Sequence, residues 1–146
     1  MIFELMTMIG VMTNSMKYDI DTVALTFLPE HEVKIMSRAA TEYKLNDKQR
    51  ALLYCIRKAE NGRTGRELGV GSDQKNHPAC RYPNSPVRSL LLQSKWASGT
   101  IKKRYICGTW VFALTWCPLN AEVWYNNVTF YLRRFGYADS GKQMAK

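Results

Sequence analysis

The chain is short of acid. Twelve Asp and Glu stand against 21 Lys and Arg in 146 residues, a net charge of +9. Such an excess attracts polyanions: nucleic acid, acidic membrane surfaces or anionic bacterial wall polymers. Cysteine is also sparse. Cys55, Cys80, Cys107 and Cys117 are too few for a disulfide scaffold. A zinc site drawn from His77, Cys80, Cys107 and Cys117 has one usable spacing, His77-x-x-Cys80, but no paired C-x-x-C. No metal and no cofactor is therefore expected. No apolar run is long enough to span a membrane. The opening stretch from Met1 to Met12 is apolar, but it carries Glu4. It also lacks the basic leader and small-residue cleavage site of a signal peptide. Phosphate-cradling and dinucleotide fingerprints are missing too, and no repeat is present.

What is there suits one domain. Hydrophobic residues make up 46% and charged residues 23%, a balance that supports a packed core and excludes wholesale disorder. The positive charge is unevenly spread. Between Lys48 and Tyr105, thirteen Lys and Arg face only Glu60, Glu67 and Asp73. The remainder of the chain is close to neutral.

The pattern predicts a mostly α protein of five or six helices. Residues 1–28 form an N-terminal segment of uncertain structure, with a short apolar run from Val23 to Leu28. Pro29, Glu30 and Glu32 open a helix whose face includes Val33, Ile35, Met36, Ala39, Ala40 and Tyr43. Asn46 or Asp47 caps the next helix, which runs to Glu60. Residues 61–89 are rich in Gly and Pro and predict an irregular lobe, with at most a small hairpin around Leu68 and Val70. Helices then follow over Val87–Arg104, Trp110–Trp116 (expected to be buried) and Val123–Phe135. The tail, residues 137–146, is polar and expected to fray. Residues 29–136 make up the main domain.

Glu60 is the candidate that stands out. Leu52, Ile56 and Glu60 are four residues apart, on one helical stripe widened by Leu53 and Ala59. The stripe is apolar until its last member. Asn61-Gly62 then stops the helix, since glycine tolerates the conformation that often follows a last turn. Partial desolvation favours the neutral form of a carboxyl. A carboxyl that keeps its proton at neutral pH can act as a general acid. The bland alternative is a solvated glutamate neutralised by Arg57, Lys58, Arg63 or Arg66. The long lobe directly after Glu60 predicts a cleft, with the helical body as one wall, residues 61–86 as the other, and Glu60 at their junction.

Ile56-Arg-Lys-Ala-Glu-Asn-Gly62 followed by Gly65-Arg-Glu-Leu-Gly-Val70 resembles the catalytic segment of lysozyme-like proteins carried by phages and prophages. These are similar to the soluble lytic transglycosylase and goose-type lysozyme group. Gln93 to Tyr105 looks like that group's helix of small residues ending in Tyr, and Asn126 to Leu132 like its closing helix. The group's Gly-Leu-Met-Gln is replaced here by Glu67-Leu-Gly-Val70. The resemblance covers about residues 47–135. It implies a lysozyme-like helical domain with a small irregular or β-hairpin lobe flanking a cleft. It implies cleavage of the β-1,4 bond between N-acetylmuramic acid and N-acetylglucosamine, with Glu60 protonating the leaving oxygen. Glycosidases usually employ a second carboxylate, and the candidates are Glu67 and Asp73. Members of the transglycosylase type manage with one, because the substrate's own 6-hydroxyl attacks. Glu67 is placed with the catalytic residues, though pairing with Arg63 or Arg66 to shape the lobe is its alternative. Asp73, Gln93, Tyr105 and Tyr131 are the candidate substrate contacts. The expected partners are bacterial peptidoglycan and anionic wall polymers, with no obligatory nucleic acid and no membrane span. The expected setting is a phage or bacterial product acting at the cell wall, exported by a route other than a recognisable signal peptide. A wall-binding or virion structural protein of the same fold, and a basic nucleic-acid-binding protein, are the competing readings.

Overall fold

The structure, a computed structural model, describes residues 19–69, 82 and 84–137. Among the described residues, six α-helices run in the order α1 (Ile20–Ala24), α2 (Glu30–Glu42), α3 (Asp47–Glu60), α4 (Pro86–Arg104), α5 (Thr109–Trp116) and α6 (Ala121–Leu132). Short 3-10 turns, Pro118–Asn120 and Arg133–Phe135, flank α6. There is no strand among the described residues. The expected hairpin is not seen: Leu68 lies in a turn, and Val70 lies outside the described residues.

Helix α3 is the axis of the molecule. Its start is fixed by a reciprocal capping box, in which Asn46 accepts from the Gln49 amide and Gln49 accepts from the Asn46 amide. This satisfies two donors that a helix start leaves open. Six consecutive residues, Ala51 to Ile56, are all buried. A helix can bury consecutive residues only if neighbours surround it. The single apolar stripe expected from Leu52 and Ile56 is therefore too narrow a description. Helices α1, α2, α4 and α6 all pack against α3.

Helix α2 meets α4 through small side chains. Ala39 and Ala40 on α2 and Ser94, Ala97 and Ser98 on α4 are buried. The Ser94 and Ser98 hydroxyls have no hydrogen-bond partner, so small size rather than hydrogen bonding accounts for their place. Helix α1 belongs to this body, since Ile20 and Ala24 enter the common core. Asp21 of α1 accepts from Ser37, Arg50 and Tyr54, tying α1 to α2 and α3. Burial pushes the Tyr54 phenol well above its ordinary range, and the adjacent Asp21 acts in the same direction. Burial alone does the same to the Cys55 thiol. Helix α5 was expected to be buried, but only Thr109, Phe112 and Ala113 are. Val111 and Leu114 face solvent.

Candidate active site around Glu60

The end of α3 is built by four local devices. Asn61 adopts the left-handed conformation (φ 47°) and returns its amide to the Arg57 carbonyl, closing the last turn. Arg57 is held by Glu32 of α2 in a two-pronged ion pair, Nε to Oε1 at 2.8 Å and Nη2 to Oε2 at 3.1 Å. Both side chains are largely buried, and a forked pair of this kind fixes orientation as well as charge. The same guanidinium reaches past the helix end to the Gly62 carbonyl at 3.3 Å. Gly62 is obligatory for steric reasons, because a Cβ there would lie 1.8 Å from the Arg66 carbonyl oxygen. The chain thus folds back on itself directly after the Glu60 helix.

Glu60 is only partly buried. Its Oε2 accepts two indole N–H groups, from Trp116 at 2.9 Å and from Trp124 at 2.8 Å. Trp116 ends α5 and Trp124 lies in the early part of α6. The two rings stack 6.1 Å apart and rest on Phe112. Oε1 faces the returning loop, where a Cβ on Gly69 would sit 2.6 Å away. Gly69 has φ +65°, so both backbone angle and space demand glycine. The carboxylate is held between an aromatic wall on one side and bare backbone on the other.

Neither tryptophan is among the residues the sequence nominates. A signal for them exists. A buried indole N–H needs an acceptor, and the chain has no acid between Pro86 and Ala121. A carboxylate acceptor for Trp116 therefore has to come from outside this stretch.

The other nominated residues are placed as follows. Glu67 is buried, and its Oε1 accepts from Gln93 Nε2 at 2.8 Å and from the Gly65 amide at 3.0 Å. Gln93 is 0% exposed. Its Oε1 accepts the Leu68 amide at 2.9 Å, and its Nε2 also reaches Ser89. Glu67 and Gln93 together pin the loop to α4. Glu67 holds the loop through Gln93 and the Gly65 amide. Gln93 in this position touches protein rather than substrate. Tyr105 bonds Thr109 at 2.8 Å and lies beside Lys48, at the start of α3. Lys48 and Glu60 are twelve residues apart on one helix, about 18 Å along its axis. Tyr105 therefore belongs to the far end. Tyr131 packs on Phe27 and Phe130, beneath Lys58 and Arg134. Asp73, His77 and Cys80 lie outside the described residues. The structure thus joins Glu67 to Gln93, and Glu60 to two unforeseen tryptophans.

No family model matches the chain, and neither a curated protein nor a solved structure matches it.

Proposed function

We propose that the protein cleaves the glycan strands of bacterial peptidoglycan, with Glu60 as the proton donor. The observation that carries this reading is the setting of Glu60. It is a partly exposed carboxylate at a helix end, with one oxygen fixed by two indole donors from separate helices. Two directed donors hold the side chain in one orientation. In the proposed reaction the Glu60 proton passes to the glycosidic oxygen as the C1–O bond breaks. The Glu60 carboxylate then takes a proton from the incoming hydroxyl as that oxygen bonds to C1, and is restored.

Glu67 is poorly placed to serve as a second carboxylate, because it is buried and its Oε1 already accepts from the Gly65 amide and the Gln93 side chain. With Glu67 engaged and Asp73 outside the described residues, the proposal takes the route needing one carboxylate, in which the substrate's own 6-hydroxyl attacks and an anhydro sugar forms. The test is loss of turbidity of purified cell walls. Wild type should clear them and Glu60→Gln should not; equal clearing by both would remove Glu60 from its role.

One feature favours a second reading, a wall-binding protein without turnover. The Glu60 carboxylate and both indoles satisfy one another without any substrate, as a structural tie between α3, α5 and α6 would. Binding of walls with no soluble fragments released would support that reading.

A further inference from the structure

Helix α5, Thr-Trp-Val-Phe-Ala-Leu-Thr-Trp, is apolar on nearly every side but covered on only one. Phe112 and Ala113 are buried, whereas Val111 is 39% and Leu114 47% exposed. At 3.6 residues per turn, Val111, Leu114 and Thr115 share one outward arc of about 100°. Further exposed aliphatics flank the helix. Ile106 before the helix is 77% exposed, Leu119 after it is 97% exposed, and Val123 opens α6 at 58%. A single exposed aliphatic needs no explanation; five along one helix of about 12 Å and its flanks do.

Charge accompanies this surface. Pro86 to Ala121 contains no Asp or Glu. Lys102, Lys103 and Arg104 end α4 at exposed positions, immediately before Tyr105 and Ile106, with the Lys102 ammonium donating to the Lys44 carbonyl at 2.8 Å. Lys48 lines the same small hollow as Tyr105 and Ile106. The opposing acids are Asp47, beside Lys48 on α3, and Glu122, beside Val123.

We propose that the outer face of α5, with Ile106, Leu119 and Val123 at its ends, docks on an anionic lipid surface. The aliphatic side chains would enter the boundary between headgroups and acyl chains, while Lys102, Lys103 and Arg104 meet lipid phosphates. The contact is peripheral, since no described helix is long and apolar enough to cross a membrane. Nucleic acid fits less well, because exposed aliphatics gain nothing from a phosphate backbone. A second copy of the chain fits less well too, because it would bring a second Lys-Lys-Arg cluster with it. This surface is independent of the chemistry assigned to Glu60.

The test is co-sedimentation of the full chain with vesicles of phosphatidylglycerol and phosphatidylcholine, against phosphatidylcholine alone. Wild type should bind the anionic vesicles at least about tenfold more tightly, with the preference shrinking as salt rises. Leu114→Ser with Leu119→Ser should weaken binding about tenfold while leaving the circular dichroism spectrum unchanged, since both side chains are exposed. Lys103→Glu with Arg104→Glu should remove the preference for anionic lipid. Three results would overturn the proposal. The first is no binding of wild type to anionic vesicles. The serine variant could bind them as wild type does, leaving a purely electrostatic polyanion site. Or the serine variant could dissolve a dimer without changing lipid binding, making the face a contact between copies.

Discussion

The molecule holds two glutamates seven residues apart in two different kinds of surroundings. Glu60 ends a helix, stays partly open to solvent, and is gripped by indole N–H groups carried on α5 and α6. Glu67 sits in the following loop, is closed off from solvent, and is gripped by a backbone amide and by Gln93 of α4. Residue type alone cannot separate them, but their neighbours do. Donors that hold one oxygen while the side chain stays partly open leave a carboxylate oriented and reachable, which suits chemistry. Donors from a loop and a buried amide spend the carboxylate on holding that loop in place.

The strongest way to break the contrast is to neutralise each acid in turn. Glu60→Gln should cost about a thousandfold or more in wall cleavage, within the range for losing a general acid. The amide oxygen can still accept both indoles, so the melting temperature should move little in a thermal scan. A large loss of stability instead would mean that Glu60 is chiefly structural.

Next in size is the grip on Glu60. Trp124→Phe keeps a ring in the stack but removes one donor. The cleavage rate should fall about a hundredfold at saturating substrate, as for the loss of one directed donor, with little change in apparent affinity. If only stability falls and the rate per folded molecule holds, the indoles are scaffolding.

The third prediction concerns the loop. Glu67→Ala leaves the buried Gln93 side-chain amide short of an acceptor and should cost about 2 kcal/mol of unfolding free energy, read by urea titration. Cleavage per folded molecule should stay within a few-fold of wild type. A loss as deep as that of Glu60→Gln would restore Glu67 to the catalytic pair.

Much of this was legible locally. The cap at Asn46, the burial of Leu52 and Ile56, and the stop at Asn61-Gly62 all arise within a few residues of chain, where spacing and capping rules act. The partners were not. Trp116 and Trp124 lie 56 and 64 residues beyond Glu60, and Gln93 lies 26 beyond Glu67. Such pairings depend on how helices pack, and periodicity on a single helix carries no record of that. The same reason explains why α5 was expected to be buried. Its composition is apolar all round, and only the arrangement of α5 on α6 shows which side remains open. Tyr105 illustrates the opposite error, since its residue type suits sugar but the fold places it at the other end of α3.

The effect furthest from either glutamate is a pH dependence of stability. The folded state holds the Tyr54 and Cys55 protons more tightly than the unfolded chain does. Their contribution to stability is therefore complete below the ordinary thiol and phenol values. It is lost as pH rises above them toward the folded-state values. Unfolding free energy should fall by roughly 1.4 kcal/mol per pH unit for each group once its ordinary value is passed. Tyr54→Phe should flatten the phenol part of that decline in urea titrations at alkaline pH. An unchanged slope would show that Tyr54 does not report the core.

The central claim, that Glu60 and not Glu67 delivers the proton, is tested most directly by mass spectrometry of purified peptidoglycan digested by wild type, Glu60→Gln and Glu67→Gln. The account predicts anhydro-muropeptides from wild type and from Glu67→Gln, and none from Glu60→Gln. Fragments released by Glu60→Gln at the wild-type rate, or none released by wild type, would contradict it.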